Sequence, residues 1–162
     1  MQIRNWQSPD QNTIIEIYQH GIDTGNATFE TSVPPWKKID EKYLKHSRLV
    51  AVDNEVVLGW AALTAVSQRE CYSGVAEVTI YVHKDHHGKG IGKALLKKLI
   101  DESEQNGIWS LLSVIHEENK ASIHLHEQCH FRIIGYRERI AQLNGTWRTT
   151  IMMEKRSKTV GA

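Results

Sequence analysis

The chain has 162 residues, 40% of them hydrophobic, enough for one domain with a real core and too few for a second of similar size. Its 20 basic and 19 acidic residues leave a net charge of +1 with no basic tract, which argues against a nucleic-acid or polyanion binder. No apolar run approaches the ~20 residues of a membrane helix, the opening Met1-Gln2-Ile3-Arg4-Asn5-Trp6 lacks the apolar stretch of a signal peptide, and Cys71 and Cys129 lie far apart and match no metal spacing, so a reduced cytoplasmic protein is expected.

A short opening strand ends at Ser8-Pro9-Asp10, which also offers a helix start. Ile14, Ile15, Ile17 and Tyr18 give the following helix an apolar face. Residues 21–32 read as loop, with glycine, Asn, Thr and Ser around Ala27-Thr28-Phe29-Glu30. Pro34-Pro35 opens a second helix running to about His46. Residues 49–52 and 56–65 read as two strands joined by an Asp53-Asn54 turn. Residues 75–82 form the cleanest strand. Alternation places Ala76, Val78, Ile80 and Val82 on one face and Val75, Glu77, Thr79 and Tyr81 on the other.

A glycine-rich turn follows, then a helix from about Gly90 to Gln105, with Ile91, Leu95 and Leu99 along its inner face and Asn106-Gly107 as its stop. Residues 108–115 are largely apolar on both faces and suit a central strand. Asn119 caps a short helix reaching Gln128. Residues 131–140 and 147–154 make a closing pair around Asn144-Gly145. The domain is expected to span residues 1–155, followed by a polar, frayed tail over 156–162.

A strand, a glycine-rich turn and a helix together make an anion site, because free N–H groups and the helix dipole meet at the turn. The spacing chooses among its users. A nucleotide P-loop needs GxxxxGK and then Ser or Thr, but Ala94 follows Gly92-Lys93 and His87 stands where the first glycine belongs. A dinucleotide fingerprint needs GxGxxG, but Gly88, Gly90 and Gly92 alternate and the last required glycine falls on Lys93.

His87-Gly88-Lys89-Gly90-Ile91-Gly92 resembles the (Arg/Gln)-x-x-Gly-x-(Gly/Ala) pyrophosphate loop of the GNAT superfamily of acyl-CoA-dependent acyltransferases. Within it the chain resembles the phosphinothricin and methionine sulfoximine N-acetyltransferases. That likeness rests on Ala27-Thr28-Phe29-Glu30, Arg69 with Tyr72, the 77–82 segment, and Ser122-Ile123-His124-Leu125-His126-Glu127. The resemblance implies the GNAT fold: a mixed α/β domain with a twisted, mostly antiparallel sheet flanked by helices. Acetyl-CoA would be the cosubstrate, wedged between strands 75–82 and 108–115. Backbone groups of Ile80, Tyr81 and Val82 would pair with the pantetheine arm. N–H groups from Gly88 through Lys89, Gly90, Ile91 and Gly92 to Lys93 would hold the pyrophosphate, with Asn119 and Ser122 on the lower part of the cofactor. Relatives often dimerise, so a homodimer is expected.

Five positions depart from the pattern. His87 replaces the loop Arg or Gln, and Cys129-His130 replaces Leu-Gly. Ser67 replaces an arginine common in the herbicide-modifying relatives, and Thr149 replaces an acid often found two residues after the closing Trp147.

Acetyl transfer to an amine needs a base, because most amines are protonated at neutral pH. Glu77 sits in an apolar strand, where burial beside a cleft would raise its pKa; otherwise it is a strand carboxylate facing water. The resemblance assigns its position a catalytic carboxylate. His126 titrates near neutrality and reads as base or acid, or as an ordinary helix-face histidine. Arg69 and Tyr72 suit an anionic group of the acceptor, or are a solvated charge and a packing ring. Phe29 and Glu30 wall the acceptor site, or Phe29 simply packs. His83, His86 and His87 form HxxHH, but no acid or cysteine completes the set at familiar spacing, so no metal is expected. The acceptor is expected to be a small amino acid derivative of the phosphinothricin or methionine sulfoximine type. The rivals are a polyamine or a protein N-terminus as acceptor, or a coenzyme A-binding module without catalysis.

Overall fold

The computed structural model describes residues 1–162. Its elements run β1 (Gln2–Asn5), α1 (Gln11–Asp23), α2 (Trp36–Lys42), β2 (Leu49–Asp53), β3 (Val56–Ala65), β4 (Val75–Val82), α3 (Ile91–Gln105), β5 (Ser110–His116), α4 (Lys120–Gln128), β6 (Arg132–Leu143) and β7 (Thr146–Arg156). All seven strands join one sheet in the order β1-β2-β3-β4-β5-β7-β6. Every pairing is antiparallel except that of β4 with β5. This is the mixed α/β, mostly antiparallel sheet expected, with β5 inside it.

Alternation along the strands sends apolar side chains to both faces of the sheet. On one face Ala76, Val78, Leu111, Ile115, Ile151 and Met153 pack with Ile91, Leu95 and Leu99 of α3 and Ile123 of α4. On the other, Val50, Trp60 and Ala62 pack with Ile14, Ile17 and Tyr18 of α1 and Ile39 of α2. The split of β4 follows the sequence: Ile80 and Val82 join the α3 side, and Tyr81 joins the α1 side.

Three boundaries differ from expectation for identifiable reasons. α1 continues through Gly21 to Asp23, where the helix lies so close to the sheet that a Cβ on Gly21 would overlap the Tyr81 ring. α2 stops at Lys42 rather than near His46, because Tyr43 turns extended and buries its ring. Arg48 then holds the irregular segment by donating to the carbonyls of Asp40, Tyr43 and Leu44 at 2.6–2.7 Å. β6 and β7 are longer than the alternation alone showed, and close on Asn144 (φ +49°) and Gly145 (φ +81°).

The tail is not frayed. Arg156 donates to the carbonyls of Trp109, Val160 and Gly161, and the buried Ser157 donates to Glu104 at 2.7 Å. A polar fork on carbonyl oxygens leaves no apolar signature in sequence. α4 ends in a left-handed turn at the position where His130 replaces the family's glycine. His130 takes the left-handed position (φ +67°), with His130 N–H on Glu127 O and Phe131 N–H on His126 O, both at 3.0 Å.

Candidate active site

β4 and β5 pair only at Val75–Ser110, Ala76–Leu111 and Glu77–Leu112. Beyond that last rung they part. Val78 to Tyr81 on one side and Ser113 to His116 on the other border a cavity of about 270 Å³. Main-chain groups of β4 that would face β5 therefore lack a ladder partner along this stretch.

Glu77 is half-buried at the closed end of the gap. Burial raises its carboxyl above the ordinary carboxylate range, against the pull of the Lys42 and Arg137 charges. Tyr18, Tyr43 and Tyr81 also line the cavity, and burial pushes all three phenols up, Tyr18 and Tyr43 to about 12. They stay protonated and can donate. Phe29 and Glu30 form part of the wall, and the Phe29 ring meets His116 edge-on at 4.7 Å. Phe29 thus packs and lines at once.

On the opposite face of β5, Ser113 Oγ lies 2.9 Å from His126 Nε2, and His126 Nδ1 lies 2.7 Å from the Ser122 carbonyl. Ser113 and His126 are both buried, and burial holds the imidazole below its ordinary pKa. Glu77 points to the α1 side with Tyr81, whereas Ser113 shares the α3 side with Leu111 and Ile115. The two sequence-predicted proton-transfer residues therefore reach the gap from opposite faces of the sheet.

A groove of about 580 Å³ adjoins the cavity and shares Ala27, Ile80, Tyr81, Asn119 and Ser122 with it. Val82, His87, Gly88, Gly90, Ile91, Gly92 and Lys93 line its other end. Gly88 (φ +75°) and Gly90 (φ +78°) take left-handed backbone, and Gly90 precedes the first residue of α3. The first turn of α3 begins its helical bonding with Ala94 N–H on Gly90 O at 3.0 Å, so the N–H groups of Ile91, Gly92 and Lys93 have no intrahelical acceptor. Asn119 accepts from Ser122 N–H at 3.2 Å and donates to Asn26 O at 3.1 Å, tying α4 to the loop after α1. His87 donates to the Val82 carbonyl at 2.9 Å and so braces the turn. Lys89 is exposed, its ammonium 3.3 Å from His86 Nδ1, and does not border the groove.

Arg69 and Tyr72 are not brought to this cavity. They stand exposed on the β3–β4 connection, the guanidinium 5.4 Å over the phenol ring. Tyr72 lines a separate cleft with Ser67, Val75 and Glu154. Val75 is two residues from Glu77 on the same face, roughly 7 Å along the strand.

Two residues escaped the sequence reading. His116 Nδ1 and Thr150 Oγ1 are buried at the cavity with no hydrogen-bond partner. Such orphans are uncommon in folded proteins and mark a place for a ligand or water. The available signal was a histidine ending β5 just past the apolar pair Val114-Ile115. The sequence also hid that Glu16 and His20, one turn apart on α1, meet His83, with Glu16 Oε1 3.8 Å from each Nε2. Both rings accept a main-chain N–H at Nδ1, from Lys84 and Asp85, which in a neutral ring leaves Nε2–H directed at Glu16. The cluster ties α1 to the end of β4.

Comparison with known proteins agrees with this geometry. The model of the acetyltransferase (GNAT) family matches residues 3–131. The L-amino acid N-acyltransferase MnaT of Escherichia coli (strain K12) is 30% identical over 159 residues, covering 95% of this chain and 92% of that one. The L-methionine sulfoximine/L-methionine sulfone acetyltransferase of Salmonella typhimurium is 29% identical over 159 residues, covering 95% and 93%. The crystal structure of a phosphinothricin acetyltransferase from Sinorhizobium meliloti in complex with AcCoA superposes with a TM-score of 0.85 at 28% identity, covering 99% of this chain and 95% of that one.

Proposed function

This chain belongs to the acetyltransferase (GNAT) family, and from that premise we propose that it transfers the acetyl group of acetyl-CoA directly to the amine of a small amino acid derivative of the phosphinothricin or methionine sulfoximine type. The observation that carries the reading is the parting of β4 from β5 just past Glu77, with the glycine-turn groove opening into the gap.

The residues present fit acetyl-CoA. Free N–H groups of the first turn of α3 suit a pyrophosphate. The unpaired edge of Ile80, Tyr81 and Val82 suits an amide-bearing arm that adds like a strand. Asn119 and Ser122 sit where groove and cavity join. Acetyl-CoA would supply the activated acetyl thioester. Glu77, held above the usual carboxylate range by burial, takes a proton from the incoming ammonium directly or through water. Buried phenols and bare strand N–H groups stabilise charge that develops on the carbonyl oxygen.

The acceptor reading rests on a compact cavity with Lys42 at its wall and on the kinship to enzymes named for small amino acids. Arg69 and Tyr72 lie outside this cavity, so Lys42 is the wall cation that would meet an anionic group of the acceptor. We place a homodimer contact on β6, whose Ile133, Ile134, Tyr136 and Ile140 are exposed at the sheet edge beside Trp147 of β7. No helix is long and apolar enough to cross a membrane, and both cysteines are free thiols, which suits a reducing cytoplasm. An acceptor screen that follows thiol release from acetyl-CoA tests the reading.

A further inference from the structure

The geometry points to Ser113 as a catalytic residue: its hydroxyl, backed by His126, carries the proton from the acceptor nitrogen to the departing sulfur. This deepens the proposed acetyl transfer and rests on it.

The hydrogen-bond directions are fixed by chemistry. A carbonyl only accepts, so His126 Nδ1, at 2.7 Å from Ser122 O, carries the hydrogen. In the neutral ring Nε2 is then an acceptor, and the Ser113 hydroxyl at 2.9 Å donates to it. Both ring nitrogens are thereby occupied, and the ring is covered edge-on by Phe131 at 5.0 Å. His126 has no nitrogen left for a ligand. The unsaturated atom of the pair is Ser113 Oγ, on a residue that borders the cavity where β4 and β5 part. A serine at this point also breaks the apolar row of Leu111 and Ile115, both buried on the same face. Packing alone would favour an aliphatic side chain there.

The proton count closes. Glu77, on the α1 face, takes the first proton of the ammonium. The neutral amine attacks the thioester carbon, and a C–N bond forms. The nitrogen, now positive, passes its surplus proton to Ser113 Oγ as the hydroxyl proton moves to His126 Nε2. The C–S bond breaks, with its electron pair on sulfur. The imidazolium returns its proton to Ser113, and Ser113 gives one to sulfur. Serine and histidine end as they began, the products are the amide and the thiol, and the one proton released is on Glu77. The two faces of the sheet thus divide the work: activation of the amine on one, neutralisation of the leaving group on the other. His126 acts through Ser113 and is a positioning residue.

The test compares Ser113→Ala, Ser113→Thr and His126→Gln in the full chain. Ser113→Ala should lower kcat by about 10² with acetyl-CoA affinity, measured by calorimetry, within about threefold; Ser113→Thr keeps the hydroxyl and should recover most of the rate. The double variant Ser113→Ala/His126→Gln should be little slower than either single one, because both groups serve one path. Apart from turnover, ¹⁵N spectra of ring-labelled histidine in the unliganded protein should show His126 as the Nδ1–H tautomer, with its Nε2 signal displaced in Ser113→Ala. Unchanged kcat in a folded Ser113→Ala that binds acetyl-CoA overturns the relay and leaves the acetyltransferase reading intact. An Nε2–H tautomer for His126, or an acetylated Ser113 found by mass spectrometry during turnover, also overturns it. Failure of the unaltered protein to acetylate any amine would instead remove the reading on which the relay rests.

Discussion

Glu77 pairs with Leu112 in the last rung between β4 and β5, and one residue farther along each strand the ladder has become a cavity wall. The carboxylate thus stands where a sheet turns into a cleft. There it is buried enough to hold its proton above the usual carboxylate range and open enough to meet a ligand. Glu77→Gln keeps the shape and removes the base. It should lower kcat by about 10² to 10⁴ with acetyl-CoA affinity nearly unchanged. The rising limb of kcat/KM against pH should shift or vanish. A limb that stays put with less than about a threefold loss, well short of the usual acid–base range, would reduce Glu77 to a strand carboxylate.

Gly90→Glu should abolish acetyl-CoA binding in calorimetric titration. Beyond its own chain neighbours nothing lies within 4 Å of a Cβ built there, so the added side chain finds open space at the groove. Its φ of +78° adds a strain of about 1 kcal/mol. Gly90→Asn, which tolerates that backbone without negative charge, is the control and should retain binding. At a cofactor concentration one hundred times Kd the unaltered protein should gain about 2.7 kcal/mol of stability. Unchanged affinity in a folded Gly90→Glu would mean that the turn does not hold the pyrophosphate.

What the sequence showed and what it hid divide along a physical line. β4, α3 and the Asn119 cap were legible because period-2 alternation, a glycine turn and an N-cap are local signals. The end of α2 was not, because it is set by Arg48 reaching back to three carbonyls. The site shows the same division. Glu77 and the glycine turn lie in one stretch of chain, where strand alternation and glycine spacing single them out. His116 and Thr150 meet only because β7 inserts beside β5, and Glu16 meets His83 only because α1 crosses β4. Alternation placed Glu77 on the face opposite Ala76 and Val78, but did not show that His126 arrives from that opposite face.

Stability should fall as pH drops below about 6.5, the ordinary histidine value. His20, His46, His116 and His126 are all held below it, burial being the first cause in each. The unfolded chain therefore takes up protons that the folded chain refuses. Stability is full above the ordinary value and is lost as pH falls toward the lower folded values. Urea midpoints between pH 7.5 and 5.5 should show this decline, and His126→Gln should flatten it. A flat profile for the unaltered protein would contradict the burial of these rings.

His130→Gly should stabilise the protein by about 1 kcal/mol, since glycine takes the left-handed end of α4 without the Cβ penalty. His130 is exposed, so little packing is lost. For a chain of this length the gain corresponds to a rise in Tm of roughly 2–4 °C. Thermal unfolding checks it, and a loss of stability would mean that the His130 ring makes a contact that outweighs its backbone strain.

Acetyl transfer to a small amino acid derivative is tested most directly by kcat/KM across four acceptors: methionine sulfoximine, methionine sulfone, phosphinothricin and spermidine, with thiol release from acetyl-CoA as the readout. Methionine sulfoximine or its sulfone should be preferred. Phosphinothricin should follow, because Ser67 stands where herbicide-modifying relatives commonly carry an arginine. Spermidine should be the poorest, because Lys42 at the cavity wall disfavours a polycation. A clear preference for spermidine, or thiol release that no amine accelerates, would contradict the assignment.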